Sequence, residues 1–148
     1  MQSVRIIEIP KCKVVSSGIG MFGDDNFTKF DEFISSLPNT MYSKDFLFEA
    51  EGGLHWVYVY EDGMRVPNGL SIIDFAGGLF AVTTDIDQQT NIEAMDKELH
   101  EFLNANGFEQ DKSRPRMGNV ITPAQAQEVL GYNQMDYFMP IKPIGRVV

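Results

Sequence analysis

Aromatic side chains are concentrated on segments that the sequence predicts to be strands, and they are its clearest chemical signal. In the segment from Asp45 to Tyr60, strand alternation places Trp56, Tyr58 and Tyr60 on one face. Val57 falls on the other face, which suits packing against helices better. Because aromatic rings attract cations and flat rings, we predict that the aromatic face lines a ligand site. The aromatic residues on predicted strands are Phe46, Phe48, Trp56, Tyr58, Tyr60, Phe80, Tyr137 and Phe138.

Four carboxylates also lie on, or at the ends of, predicted strands: Glu49, Asp74, Asp85 and Asp136. A carboxylate buried among aromatic rings loses its hydration, and the positive charge of a ligand would offset that loss. Each acid has an ordinary alternative, which is a solvated position at a strand edge. The pattern therefore predicts an acidic group in the site without ranking the four.

Other kinds of active site lack support in this sequence. His55 and His100 have no cysteine or carboxylate at a recurring ligand spacing, so we predict no metal site and solvated structural roles for both. The segment GIGMFG at 18–23 fits a dinucleotide motif. That motif needs alternating strands and helices in a parallel sheet, whereas this chain shows hairpins, so we predict no cofactor. Cys12 has no placed base, and no motif for nucleophilic catalysis is present.

Two similar runs of elements would position these residues. The first has an extended segment at 4–17 broken by Pro10, a helix from Asp25 with its apolar residues at helical spacing, and a hairpin turning at Gly52-Gly53. The second has an extended segment at 70–85 and a helix whose Thr90 and Glu93 have capping-box spacing. A short helix with Thr122 before it and Pro123 at its first helical position ends at Gly131, and a last strand covers 135–142.

The two runs match in pattern at an offset of 66 residues, with IIEIPKCKVVSS against SIIDFAGGLFAVTT. Chance similarity between two strand-helix segments is the alternative. We predict one α+β domain over 1–148, with repeat one at about 1–64 and repeat two at about 68–148. The two β-α-β-β repeats would have pseudo-twofold symmetry and form a mainly antiparallel sheet with helices on one side. A ligand cleft would lie between the repeats.

Composition limits the partners and the compartment. The chain has 148 residues, 43% of them hydrophobic, and a formal net charge of -9. That charge opposes direct binding of nucleic acid. The single cysteine permits no internal disulfide and fits a reducing compartment, and no segment suits a signal peptide or a membrane span. We therefore expect a cytoplasmic protein that neither enters a membrane nor binds nucleic acid directly.

Three segments resemble the GyrI-like small-molecule-binding domain, also called the bacterial transcription-activator effector-binding domain. They are DFLFEAEGGLHWVYVYEDG at 45–63, IIDFAGGLFAV at 72–82 and LGYNQMDYFMPIK at 130–142. The resemblance extends over nearly the whole chain and implies two β-α-β-β repeats. It also implies binding of amphipathic, often cationic compounds in an aromatic cleft. The positions that match cleft-lining ones best are Trp56, Tyr58, Phe80 and Tyr137, to which we add Phe48 as a strand aromatic.

One departure from the family bears on function. Many members carry a buried glutamate in the strand before the short last helix, but SRPRMGNVITP has no acid between Arg114 and Thr122. Glu49 is our candidate to replace it. Some stand-alone relatives are hydrolases of strained cyclopropane-bearing compounds. The missing acid weakens the case for that activity here more than it weakens the case for binding.

Three functions follow from these observations. The first is a ligand-binding module, either the sensor of a drug-responsive transcription regulator or a stand-alone sequestering protein. No helix-turn-helix precedes the domain in this sequence, so a regulatory role would act through another polypeptide or segment. The second is the hydrolase, and the third is inhibition of a protein partner such as a topoisomerase.

Overall fold

The computed structural model describes residues 3–38 and 42–145, so the predicted ends of the repeats at 1 and 148 lie outside the described residues. The described residues form nine strands and three helices, which confirms the predicted α+β class. The strands are β1 (Arg5–Ile9), β2 (Cys12–Gly20), β3 (Asp45–Ala50), β4 (Gly53–Val59), β5 (Ser71–Phe75), β6 (Gly78–Ile86), β7 (Phe108–Gln110), β8 (Met117–Val120) and β9 (Gln134–Pro143). The helices are α1 (Asp25–Ser35), α2 (Ile92–Asn106) and α3 (Ala124–Leu130).

The chain divides into two compact units. One unit contains residues 10–77, and the other contains residues 1–9 together with 78–148. We name them by their place in the sequence: residues 10–77 are the inner unit, and the segments on either side of them are the outer unit. The units differ from the predicted repeats at two strands. Strand β1, which the prediction placed in repeat one, belongs to the outer unit, and β5, which it placed in repeat two, belongs to the inner unit.

Both units use the same order of strands. The outer unit has the order β1-β6-β9-β8, with β7 also paired to β9, and the inner unit has the order β5-β2-β4-β3. The pairs within each unit are antiparallel. Arg5 pairs with Val82, and their equivalents 66 residues away, Ser71 and Ser16, also pair. The predicted offset therefore holds residue by residue in the strand register.

Each unit packs one long helix against one side of its strands. In the outer unit Met95, Leu99 and Leu103, one helical turn apart on α2, pack against Ala81 and Met139. In the inner unit, Phe30 and Phe33 of α1 pack against Val15 and Tyr58. These apolar stripes explain why both helices were predictable from spacing alone.

The helix ends correct two predictions about caps. The cap of α2 is Asn91, whose side chain accepts a hydrogen bond from the Ala94 amide, and Thr90 instead donates to the carbonyl of Ile86. Pro123 is the cap of α3 and not its first helical residue. Gly131 ends α3 with a φ of 78°, in the left-handed region that glycine adopts without strain.

Candidate functional site

Asp136 is the buried acid of the outer unit. It lies on β9, the middle of three neighbouring strands, directly opposite Thr84 on β6 and Asn119 on β8. Directly opposite residues in antiparallel strands point to the same face. Because Met139 packs against α2, alternation along β9 directs Asp136 to the side away from that helix. We call this side the Asp136 face.

The carboxylate of Asp136 is held by two donors. Arg5 on β1 places Nη2 at 3.0 Å from Oδ1, and Thr84 donates its hydroxyl to the same oxygen at 2.5 Å. Arg5 Nη2 also lies 3.4 Å from the Thr84 hydroxyl oxygen. The Asp136 side chain is only 12% exposed, whereas that of Arg5 is 52% exposed. Charge-assisted hydrogen bonds of this kind compensate a carboxylate for lost hydration.

The rest of the Asp136 face is apolar and aromatic. Phe80 and Phe138 meet edge to face, with ring centroids 6.0 Å apart. Val82 and Met117 pair with Phe138 from the two sides, and both are buried. The face thus joins a buried negative charge to aromatic rings, which is a combination suited to an amphipathic cation.

Arg114 already provides a cation for one of these rings. Its guanidinium carbon lies 4.9 Å from the Phe80 centroid, and Nη2 donates to the carbonyls of Leu79 at 2.9 Å and Ile141 at 2.7 Å. Asp111 accepts from Arg114 Nε at 2.9 Å. Hydrogen bonds from Ser113 and Arg114 lower the pKa of Asp111 to about 2. Arg114 therefore ties β6 to β9 behind Phe80, which is itself only 1% exposed.

Tyr137 lies on the opposite side of β9 from Phe80 and Asp136. It packs beside the α2 cluster, and its hydroxyl is 3.1 Å from that of Thr90. The structure therefore separates two of the residues that the sequence placed in one aromatic site. A ligand contact by Tyr137 stays a prediction.

The inner unit corrects the prediction about its aromatic face. We expected the valine side of β4 to receive the helix, but Trp56 and Tyr58 are the residues that pack against α1. The Trp56 ring centroid lies 5.0 Å from that of Phe30 and 5.4 Å from that of Phe22, and its Nε1 donates to Asp45 at 3.1 Å. The prediction was wrong because both faces of β4 are buried, so burial did not identify the helix side.

On the other side of these strands from α1, His55 of β4 contacts Ser16 of β2 and Phe48 of β3. His55 lies with its ring centroid 4.7 Å from that of Phe48, and its Nε2 is hydrogen-bonded to the Ser16 hydroxyl. Burial lowers the pKa of His55, which favours the neutral ring as the acceptor. His55 therefore has a structural role, as predicted, but it is partly buried and hydrogen-bonded and not fully solvated. Ser16 is 3% exposed and also accepts from the Gly18 amide at 3.0 Å, so the pair stabilises the bulge after Ser16.

Glu49 is exposed on β3, opposite Leu54. Strand β8, where the family resemblance implies a buried acid, contains Met117–Val120 and no carboxylate. The buried acid of this region is Asp136, directly across from Asn119 on the neighbouring strand. The sequence indicated Asp136 as one of four acids, but it gave no indication of Arg5, because the pairing of β1 with β6 leaves no local signal.

Features of two other kinds of site are absent from the described residues. Within residues 3–38 and 42–145, no group of three histidine, cysteine or acidic side chains is arranged to hold a metal ion. No helix in the same ranges is long and apolar enough to cross a membrane.

The outer unit also has an open polar cavity of about 430 Å³, lined by Asp87, Gln88, Gln89, Gln127, Gly131, Tyr132 and Asn133.

Comparison with known proteins identifies the fold. No protein-family model and no curated protein matches the sequence. The C-terminal domain of EcmrR superimposes with a TM-score of 0.64 at 10% identity, over 97% of this chain and 99% of that domain. The chain has the GyrI-like fold.

Two further structures share the GyrI-like fold. A hydrolase from Listeria innocua has a TM-score of 0.67 at 8% identity, over 94% of this chain and 91% of that one. SAV2435, bound to tetraphenylphosphonium, has a TM-score of 0.53 at 11% identity, over 95% and 94%. The chain also covers 58% of the EcmrR chain in an EcmrR-DNA complex. Since one fold supports several activities, the fold alone does not assign a function to this chain.

Proposed function

We propose that this chain is a small-molecule-binding domain that takes amphipathic, cationic, drug-like compounds at the Asp136 face. The observation that carries the proposal is a carboxylate that is 12% exposed on the same face as two aromatic rings. A ligand with a positive charge and an apolar body would complement both parts.

The electrostatics favour a cation over an anion or a neutral compound. A buried carboxylate attracts a positive charge more strongly than an exposed one because less water screens the pair. A ligand cation that reached the Phe138 ring, which is 6% exposed, would gain a further cation-π attraction of about 0.5–2 kcal/mol. Thr84 is exposed and Arg5 is half exposed, so the polar end of the face is open to solvent.

The GyrI-like fold supports the same class of ligand. SAV2435 binds tetraphenylphosphonium, which is a cation with four aromatic rings. EcmrR places a domain of this fold in a DNA complex. We therefore propose that the chain serves as the multidrug sensor of a transcription regulator, or as a stand-alone sequestering protein in the cytoplasm.

The predicted contact residues enter the proposal in two groups. Phe80 lies on the Asp136 face, but it is only 1% exposed and its ring centroid lies 4.9 Å from the Arg114 guanidinium carbon, so a direct ligand contact stays a prediction. The ligand contacts predicted for Trp56, Tyr58, Tyr137, Phe48 and Glu49 stay predictions, and tests for them are separate from the test of Asp136.

Calorimetric titration with tetraphenylphosphonium tests the proposal. Asp136→Asn keeps the shape of the side chain and removes its charge, and we expect it to weaken binding about 10-fold, near 1.4 kcal/mol. Glu32→Gln is the matched control, because it removes one negative charge from an exposed position on α1. We expect that variant to bind within about 2-fold of the wild type, the change typical of a screened surface charge. Unchanged binding by Asp136→Asn, or an equal loss from Glu32→Gln, would refute the assignment.

Hydrolysis of strained cyclopropane-bearing compounds is the second candidate, favoured by the presence of a buried carboxylate that could activate water. The likeness to the Listeria innocua hydrolase shows only the fold. Incubating such a compound with the protein and following its disappearance by chromatography separates the two functions. Turnover that Asp136→Asn abolishes would favour the enzyme, and an intact compound after saturable binding would favour the sensor.

A further inference from the structure

The Asp136 face already contains a cation of its own. Arg5 occupies the carboxylate at 3.0 Å, so the charge that would attract a ligand is partly neutralised in the structure. Any cation that reaches Oδ1 must share or replace the guanidinium. This competition bears directly on how tightly and how selectively the face can bind.

The two partners of this ion pair differ in exposure and in their position in the sheet. Asp136 is on a central strand between Thr84 and Asn119 and accepts the Thr84 hydroxyl at 2.5 Å. Arg5 is on β1, which ends the strand order of its unit, and its side chain is 52% exposed. A long side chain at an exposed edge can turn into water at small expense, because its charge is rehydrated when it leaves.

We propose that Arg5 is a resident counter-ion that a cationic ligand displaces from Asp136. This inference rests on the proposed function and adds how cation binding at Asp136 is regulated. Arg5 keeps the acid compensated in the absence of ligand and lowers the affinity for every cation by the strength of the ion pair. Compounds that bring both a charge and enough apolar surface to replace the pair are bound, whereas small hydrated cations are rejected.

The size of the effect follows from the exposure of the pair. Ion pairs with one exposed partner contribute modestly, and the upper end of their range corresponds to about 5-fold in a binding constant. Removing the guanidinium should therefore tighten the binding of a cation by about 5-fold. The same change should leave a neutral aromatic compound unaffected, because that compound does not compete for the carboxylate.

Tetraphenylphosphonium titration of Arg5→Gln tests the inference. Lys13→Gln is the matched control, since it removes one positive charge from an exposed ion pair with Asp74 in the inner unit. We expect about 5-fold tighter binding for Arg5→Gln, about wild-type binding for Lys13→Gln, and no gain from Arg5→Gln when Asp136→Asn is also present. Urea unfolding of each variant confirms that the protein is folded under the conditions of the titration.

The outcomes separate this inference from the proposed function. If Asp136→Asn weakens binding while Arg5→Gln leaves it unchanged or weakens it, the site stands and the role of Arg5 as a competitor is refuted. If no variant binds tetraphenylphosphonium, both ideas are refuted. An equal gain from Lys13→Gln would assign the effect to net charge and would also refute displacement.

Discussion

Trp56 gives the sharpest prediction about the inner unit. A tryptophan on an open ligand surface could be replaced by alanine with little loss of stability. In the structure its ring instead lies within 5.0–5.7 Å of the rings of Phe22, Phe27 and Phe30. Trp56→Ala therefore removes the centre of an aromatic cluster beside α1, and we expect it to destabilise the fold.

The magnitude follows from packing and from one hydrogen bond. Replacing a fully buried aromatic residue by alanine costs about 3–5 kcal/mol, and the partial exposure of Trp56 reduces this to about 2–3 kcal/mol. Trp56→Phe is the matched control, because it keeps a ring and loses the bond from Nε1 to Asp45 at 3.1 Å. That change should cost about 1 kcal/mol.

Urea unfolding followed by far-ultraviolet circular dichroism measures both variants, since the only tryptophan is lost in each. We expect the midpoint to fall most for Trp56→Ala and about a third as far for Trp56→Phe, with an unchanged slope. A Trp56→Ala midpoint equal to that of the wild type would refute the packing of this face against α1.

Two further predictions concern pH and the glycine of a strand. Because burial lowers the pKa of His55, the folded state binds its proton less well than the unfolded chain, so stability should fall as the pH drops below about 6.5. Urea midpoints at pH 7.5 and 5.0 should differ less for His55→Gln, and an equal difference would contradict this. Gly78→Ala would place a Cβ 2.8 Å from the Arg114 guanidinium carbon at a φ of +119°. It should lose about 2–3 kcal/mol in thermal unfolding, against about 1 kcal/mol for Gly131→Ala, whose Cβ meets nothing within 4 Å. Equal losses would contradict the clash.

Local pattern predicted most of the fold. The apolar spacing of Met95, Leu99 and Leu103 indicated α2, and the glycine pair at Gly52-Gly53 indicated the turn between β3 and β4. The 66-residue offset predicted which segments are equivalent. It did not predict that β1 pairs with β6, because pairing between distant strands leaves no local signal. The three-residue β7 was too short to show a period.

The site was less predictable because it depends on long-range pairing. Alternation showed that Trp56 and Tyr58 share a face, but Val57 on the other face is buried as well, so the sequence did not identify the helix side. Asp136 could not be ranked above Glu49 from the sequence. Its burial results from Thr84 and Asn119, which lie 52 and 17 residues away in the chain.

The most direct test of the central claim is a crystal structure of the protein with tetraphenylphosphonium bound. We expect the phosphonium to lie within about 6 Å of the Asp136 carboxylate and of the Phe138 ring, the range of a cation-π contact. We also expect the Arg5 guanidinium to have moved off Oδ1 of Asp136. A phosphonium bound only against Trp56 or Phe48 of the inner unit, with the Arg5–Asp136 ion pair intact, would contradict the claim.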